Sequence, residues 1–232
     1  MTASVVARLP ASSLLRAVLA TLRDTATFVV LRNYEDLPEQ WSNDIDILVA
    51  PADLERSHAA LIATLQTKVG PVAIESLQRA NFRAVRLACA DRVLQIDLYS
   101  ALCKGWITYA DTSAILAARR QWNPLFEVPA TEHELLMIAA KELFAYGVVR
   151  PRYHAHLAGH DPQSVRLAAQ QIFGAWLTDA GQALVSRALV DPTIHGRPAL
   201  RLNAIARPRA ALMWARMRLN GWTAHSSEHR SS

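Results

Sequence analysis

The chain contains only two cysteines, Cys89 and Cys103, among its 232 residues. Two thiols cannot build the disulfide framework of a small secreted domain, and they are too few for a cysteine-based zinc cluster. The sequence also lacks a run of 18 or more uncharged apolar residues, so it predicts no transmembrane helix. From the cysteine content we expect a protein of the reducing cytoplasm.

Three common functional motifs are missing as well. The sequence contains no Gly-x-x-x-x-Gly-Lys-Ser/Thr loop, no Gly-x-Gly-x-x-Gly turn and no serine nucleophile elbow. A P-loop nucleotidase, a dinucleotide-binding enzyme and a serine-elbow hydrolase are therefore unsupported.

Acidic residues are scarce at the C-terminal end. From residue 195 onward Glu228 is the one acid, against the seven arginines Arg197, Arg201, Arg207, Arg209, Arg216, Arg218 and Arg230. This segment therefore accounts for the formal net charge of +5. It could contact a membrane surface, an acidic protein partner or nucleic acid, of which we rank nucleic acid last. Solvated arginines on a terminal helix explain the pattern equally well.

Hydrophobic patterning divides the chain into a mixed part and a helical part. It first predicts helices over 11–23 and 51–68, with the first capped near Ser12 or Ser13, and strands over 27–31, 44–49, 72–76, 82–88 and 93–99. The last two strands form a hairpin that turns at Asp91-Arg92. Alanine-rich segments then predict helices over 111–120, 131–146, 162–180, 182–189 and 199–219. We expect an α+β fold: a mixed-sheet domain over 1–105, a helical region over 106–222 and a disordered tail over 223–232.

Two carboxylates interrupt the second predicted strand, in the run Ser42-Asn43-Asp44-Ile45-Asp46-Ile47-Leu48-Val49. Side chains alternate along a strand, so Asp44 and Asp46 lie on the same face. Asp97 repeats the pattern in the fifth strand, where it shares a face with Gln95 and Tyr99. Clustered acids repel one another unless a cation lies between them, and carboxylate oxygens suit Mg²⁺. The three acids therefore predict a two-metal site for phosphoryl or nucleotidyl transfer.

A simpler interpretation of the acids stays open. An Asp-x-Asp pair occurs by chance in many proteins, and buried carboxylates can be paired with arginines. The candidates for such pairing are Arg32, Arg83 and Arg86.

The order of strand, connector, Asp-x-Asp strand, helix and hairpin strand with a third acid resembles the nucleotidyltransferase superfamily, which includes DNA polymerase beta and the minimal nucleotidyltransferases. Over about residues 25–105, the runs Leu31-Arg32-Asn33-Tyr34-Glu35-Asp36-Leu37-Pro38 and Asn43 to Val49 resemble uncharacterised members from bacterial surface-polysaccharide gene clusters. A looser resemblance extends to Lys141-Glu142-Leu143 and Arg150-Pro151-Arg152-Tyr153.

The resemblance implies a mechanism. Asp44 and Asp46 would hold Mg²⁺ on the phosphates of a nucleoside triphosphate, and Asp97 would complete a second metal site and help to activate an acceptor hydroxyl. Attack on the α-phosphorus would release pyrophosphate. The acceptor would be a small hydroxyl-bearing molecule, with a sugar or glycan precursor suggested by the narrower resemblance.

One position departs from the superfamily. Where its members usually carry Gly-Ser or Gly-Gly after the first strand, this chain has Arg32-Asn33. Both side chains can bind phosphate, so the pocket could still take a nucleotide, take another phosphorylated ligand or have lost catalysis.

Other cationic side chains are weaker candidates for binding a phosphate or an anionic substrate. Lys104 and Lys141 could reach a phosphate, although an exposed lysine and a lysine snorkelling at the core edge are the simpler interpretations. Arg150, Arg152 and Tyr153 could bind an anionic substrate, and a surface loop explains them nearly as well.

From the sequence we therefore expect an Mg²⁺-dependent nucleotidyltransferase in the cytoplasm, in possible contact with a membrane surface. The alternative is a non-catalytic protein that keeps this fold to bind a nucleotide or a partner, as an antitoxin of the minimal nucleotidyltransferase type would.

Overall fold

The computed structural model describes residues 8–41, 44–70, 74–104, 107–157, 159–193 and 206–208. The chain forms two compact units, of which the first comprises Met1–Ala101 and Leu116–Pro129 and the second Leu102–Ile115 and Ala130–Ser232. A mixed sheet in the first unit and a mostly helical second unit confirm the predicted α+β class. No helix in the described part of the chain is long and apolar enough to cross a bilayer.

A five-stranded sheet organises the first unit. Its strands are β1 (Phe28–Val30), β2 (Ile45–Val49), β3 (Glu75–Arg79), β4 (Phe82–Ala88) and β5 (Val93–Tyr99). They lie in the order β1-β2-β5-β4-β3. The β2–β5 pair is parallel, and the other neighbouring pairs are antiparallel. The predicted β4–β5 hairpin is confirmed, and the Cys89 N–H closes its turn by donating to the Arg92 carbonyl at 2.8 Å.

Two helices pack against one face of this sheet, α1 (Ala11–Thr25) and α2 (Leu54–Val69), the second preceded by a 3₁₀ turn over Pro51–Asp53. Alternate residues of the strands join both helices in one apolar core, and in β5 these are Leu94, Ile96 and Leu98. The residues between them therefore face the other side of the sheet.

The start of α1 depends on a residue far away in sequence. The helix begins at Ala11, before the predicted Ser12 or Ser13 cap, and Pro10 supplies no capping side chain. Instead the carboxylate of Asp91, in the β4–β5 turn, accepts a hydrogen bond from the Ala11 N–H at 2.9 Å. A carboxylate at a helix N-terminus is stabilising, so the hairpin turn helps to anchor the first helix.

A second hairpin returns the chain to the first unit. It consists of β8 (Arg120–Asn123) and β9 (Phe126–Val128), and β9 lies beside β1. Phe126 and Val128 are buried in the same core as α1 and α2. The first unit therefore includes Leu116–Pro129, because these two side chains complete the core of the mixed sheet.

The second unit is built on helices. They are α3 (Thr112–Ala117, whose last two residues belong to the first unit), α4 (Thr131–Tyr146), α5 (His154–Leu157), α6 (Pro162–Phe173) and α7 (Asp179–Val190), and a small β6–β7 hairpin (Cys103–Lys104 and Ile107–Thr108) precedes them. A 3₁₀ turn over Pro151–Tyr153 leads into α5. α4 packs against α6 and α7. It ends at Gly147, whose φ of 77° is readily adopted only by glycine.

Several predicted boundaries differ from the structure. The predicted helix over 111–120 stops at Ala117 because its last residue starts β8, and the one over 162–180 breaks at Gly174. The predicted strand over 72–76 appears as β3, which begins at Glu75. Residues 71–73, the Ser42-Asn43 part of the acid motif, most of the predicted helix over 199–219 and the whole predicted tail lie outside the described residues.

We expect Phe126→Ala to destabilise the protein by about 3 to 5 kcal/mol, because it removes a fully buried ring that the surrounding core cannot replace. Leu77→Ala is the matched control, since Leu77 lies in the same unit but is 46% exposed. Urea unfolding of the full chain followed by circular dichroism measures both. Equal, small losses in the two variants would contradict the assignment of the β8–β9 hairpin to this core.

Candidate metal centre

Asp46 and Asp97 lie directly opposite each other in the sheet. Parallel pairing of β2 with β5 sets Asp46 in register with Asp97. Both side chains lie on the face that α1 and α2 leave uncovered, and both residues are buried, at 3% and 5% exposure. Two carboxylates are thus held side by side out of bulk water.

Asp44 completes the cluster from the residue just before β2. One carboxylate oxygen from each of Asp44, Asp46 and Asp97 can be chosen so that the three lie within 4.8 Å of one another. Asp44 is only partly buried, unlike Asp46 and Asp97. The structure thus brings together the three acids that the sequence pattern singled out.

The surroundings of Asp97 favour its protonated form. Burial, together with the nearby charges of Asp44 and Asp46, raises the pKa of Asp97 to about 6. Two hydrogen bonds oppose this shift: the Gln95 amide donates to Oδ1 at 3.3 Å, and the Tyr99 hydroxyl donates to Oδ2 at 3.4 Å. Burial also raises the pKa of Tyr99, which therefore remains a donor at neutral pH.

Arg32 forms an ion pair with Asp46 through its Nε. The pair lies where β1 runs beside β2, since the Leu31 N–H donates to the Asp46 carbonyl at 2.9 Å. The next residue, Asn33, has φ of 53°, a left-handed conformation that asparagine adopts more readily than most residues. Arg32 therefore pairs with Asp46, as the simpler interpretation predicts, in which arginines neutralise the buried acids.

The other two arginines named for that role behave differently. Arg83 lies on the helix-covered side and pairs with Glu55 of α2. Arg86 is exposed and has no ion pair or hydrogen bond among the described residues. Neither arginine neutralises Asp44 or Asp97, so Arg32 is the one described arginine that forms an ion pair within the acid cluster.

The donor set fits a hard divalent cation. All three side chains offer carboxylate oxygens, share one side of the sheet and are close enough for one or two ions of the Mg²⁺ class. Burial is the main reason for the raised pKa of Asp97, and the charges of Asp44 and Asp46 raise it further.

Lys104 and Lys141 belong to the second unit, whereas Asp44, Asp46 and Asp97 belong to the first. Lys104 is exposed at the end of β6. Lys141 lies half-buried on α4 and has an interaction partner of its own. A role for either lysine at a phosphate stays a prediction.

Arg150 has a structural partner within the second unit. Its guanidinium donates two hydrogen bonds of 2.6 Å to the carboxylate of Glu142, which is 1% exposed. The same guanidinium lies 4.0 Å from the ring centroid of Tyr146. Arg152 donates to the Tyr153 hydroxyl at 3.1 Å. These contacts explain the conformations of both arginines without a ligand, and their substrate-binding role stays a prediction.

Sequence reasoning missed the polar neighbours of the acids. Gln95 and Tyr99 were placed on the face of Asp97 but were given no role, and the alternation of β5 was the signal that could have assigned them. It also missed Trp41, Arg86 and Arg92, which line a cleft beside Asp44. No local pattern connects these three residues, because three separate segments contribute them.

We expect Asp97→Asn to stabilise the metal-free protein at pH 8. The pKa of Asp97 is about 6 in the folded protein and near 4 in the unfolded chain. The folded wild-type protein therefore loses stability as the pH rises from about 4 to about 6, because Asp97 ionises less readily in the folded state. Asp97→Asn should therefore raise the free energy of unfolding by about 1 to 3 kcal/mol at pH 8 and by much less at pH 4.5. Urea unfolding in EDTA at the two pH values measures the difference.

Asp91→Asn is the matched control, and we expect it to change the free energy of unfolding in the opposite direction. The Ala11 N–H holds the pKa of Asp91 below its usual range, so removing this charge loses stability at pH 8. A destabilised Asp97→Asn at pH 8 would mean that its carboxylate is not under electrostatic strain.

Comparison with known proteins adds no relative. No protein-family model matches the chain, and neither a curated protein sequence nor a solved structure matches it.

Proposed function

We propose that the protein is an Mg²⁺-dependent nucleotidyltransferase that moves a nucleoside monophosphate from a nucleoside triphosphate to a hydroxyl of a small acceptor. The observation that carries this proposal is the three-carboxylate cluster of Asp44, Asp46 and Asp97 on one side of the sheet. A sugar or glycan precursor is the acceptor class that the sequence resemblance suggests.

Each acid has a distinct part in the proposal. Asp44 and Asp46 would hold Mg²⁺ at the triphosphate, and Asp97 would complete a second metal site and help to activate the acceptor hydroxyl. The bound ions would neutralise phosphate charge and lower the pKa of an oxygen that they contact. The Asp97 carboxylate would take the acceptor's proton. The acceptor oxygen then forms a bond to the α-phosphorus, the bond to the β-phosphate oxygen breaks, and pyrophosphate leaves.

Arg32 has two alternative partners in this scheme. It is paired with Asp46 in the structure, and a triphosphate offers the same guanidinium several anionic oxygens. Transfer of Arg32 from the carboxylate to a phosphate would free Asp46 for the cation. Asn33, Lys104 and Lys141 are further proposed phosphate contacts.

A second candidate is a non-catalytic protein of the same fold that binds a nucleotide or a protein partner. The Arg32–Asp46 ion pair favours it, because a buried carboxylate that already has a cationic partner needs no metal. The two candidates differ in whether Arg32 leaves Asp46 when a triphosphate binds.

The compartment and further partners are also proposals. The two free cysteines suit a reducing cytoplasm. The basic C-terminal segment could hold the protein at an anionic membrane surface or on an acidic protein partner.

Calorimetric titration of ATP, GTP, CTP and UTP, each with and without Mg²⁺, tests the proposal. We expect wild type to bind at least one triphosphate only with Mg²⁺, and Asp46→Asn to lose this binding because a cation ligand is gone. Asp24→Asn, at an exposed acid of α1, is the control and should bind as wild type does. Mg²⁺-dependent binding that survives in Asp46→Asn would contradict the metal site.

Arg32→Gln separates the two candidates. If Arg32 competes with the cation for Asp46, this variant should bind Mg²⁺ more tightly than wild type and the triphosphate more weakly, by about tenfold in each case. Titration of Mg²⁺ alone and then of the triphosphate measures both effects. Undetectable Mg²⁺ binding in both wild type and Arg32→Gln would favour the non-catalytic candidate.

A further inference from the structure

A cleft of about 700 Å³ adjoins the acid cluster where β2 and β5 begin. The residues that line it all belong to the first unit and are Trp41, Asp44, Arg86, Asp91, Arg92, Val93 and Gln95. The volume is within the range of small-molecule sites in proteins. Because Asp44 belongs both to this wall and to the acid cluster, the cleft opens onto the candidate metal centre.

One wall of the cleft is held by stacking. The Arg92 guanidinium lies 4.9 Å from the ring centroid of Trp41 and donates to the Trp41 carbonyl at 3.2 Å. Asp91 lies 3.5 Å from Arg92 and also accepts the Ala11 N–H. Arg92 and Asp91 therefore offset each other's charge and brace Trp41.

Arg86 is the cation that remains available. It lies on β4 opposite Gln95 of β5, on the same sheet face as Asp97. It is exposed to solvent, and no acid or hydrogen-bond acceptor among the described residues engages it. A guanidinium fork in a cleft matches the planar spacing of phosphate oxygens.

Gln95 links the cleft to the acids. Its amide nitrogen donates to Asp97, which leaves its carbonyl oxygen for a group in the cleft. An amide carbonyl accepts a hydroxyl proton, so a ligand that offers both phosphate and hydroxyl groups matches Arg86 and Gln95 together.

We propose that the cleft binds a small phosphorylated polyol, with Arg86 on its phosphate and its hydroxyls toward Gln95 and the acids. Under the proposed function, on which this part rests, the polyol is the acceptor of the nucleoside monophosphate. The acceptor is then anionic, which narrows the substrate class from hydroxyl compounds in general to phosphorylated ones.

The charge of Asp44 modulates this binding. A phosphate in the cleft is repelled by the ionised Asp44 carboxylate and attracted by Arg86. In EDTA no divalent cation neutralises Asp44, so Asp44→Asn is what removes this repulsion. It should therefore bind the phosphorylated ligand more tightly than wild type in EDTA, by about threefold to tenfold.

Titrations in EDTA, without nucleotide, test the cleft by itself. The reporter is the Trp41 indole N–H signal in nitrogen-edited NMR spectra, identified by its absence in Trp41→Phe. The probes are inorganic phosphate, glucose 6-phosphate and glucose. We expect both phosphates to shift the signal and glucose to leave it unchanged. A shift by glucose equal to that by glucose 6-phosphate would overturn the proposal.

Arg86→Gln should weaken glucose 6-phosphate binding by about ten- to a hundredfold, because a charge-assisted contact is lost. Arg56→Gln, at an exposed arginine of α2 paired with Asp53, is the matched control and should bind normally. Val93→Glu adds a negative charge at an exposed edge of the cleft and should also weaken binding. Unchanged binding in both Arg86→Gln and Val93→Glu would overturn the assignment.

The two proposals fail separately. Loss of phosphate binding to the cleft, with Mg²⁺-dependent triphosphate binding intact, would reject the anionic acceptor and leave the nucleotidyltransferase proposal standing. Binding of glucose 6-phosphate through Arg86, without any triphosphate binding, would keep the cleft site and reject its role as an acceptor site.

Discussion

Parallel pairing of β2 with β5 is the constraint on which the candidate site depends. It places Asp46 directly opposite Asp97 on a buried sheet face, where two ionised carboxylates repel each other and have lost most of their hydration. Three features of the surrounding structure reduce this repulsion. Arg32 pairs with Asp46, Gln95 and Tyr99 donate to Asp97, and the raised pKa lets Asp97 hold a proton near neutral pH.

The opposite face of the sheet keeps this unfavourable arrangement in place. Ile45 and Ile47 of β2 and Leu94, Ile96 and Leu98 of β5 are buried against α1 and α2. A slip of one residue in either strand would turn these apolar side chains out of the core and the acids into it. Apolar burial at about 25 cal/mol per Å² therefore holds the register of the strands, and the register in turn holds the acids together.

The sequence was sufficient to predict the parts of the site that follow from period-two alternation. Asp44, Asp46 and Asp97 break apolar strands at positions that face one way, and the hairpin of β4 and β5 has both strands at the predicted bounds. The sequence could not reveal that β2 pairs with β5 in parallel, because α2 and two strands separate them. Nor could it assign Arg32 to Asp46, since arginine suits a carboxylate and a phosphate equally well.

Long-range contacts explain the remaining differences between the sequence-based predictions and the structure. Asp91 caps α1 across 80 residues, and Phe126 and Val128 join a core whose other buried members lie between Ala11 and Leu98. Local propensity carries no information on such pairs. Trp41, Arg86 and Arg92 meet at the cleft for the same reason: a connector, a strand and a turn contribute one residue each, and only the folded sheet sets them side by side.

The charge balance of the cluster bears on why the acids are there at all. A sheet face selected for stability alone would carry apolar or neutral polar residues, since Asn fits the same space as Asp without the repulsion. Arg32 offsets one of three carboxylates, and among the described residues no other arginine or lysine forms an ion pair with the cluster. The excess negative charge is unfavourable in the metal-free protein and would become favourable if a divalent cation were bound, as we propose. Costs of this kind are typical of functional sites, where local stability is given up for chemistry, and the uncompensated charge favours the catalytic candidate over the non-catalytic one.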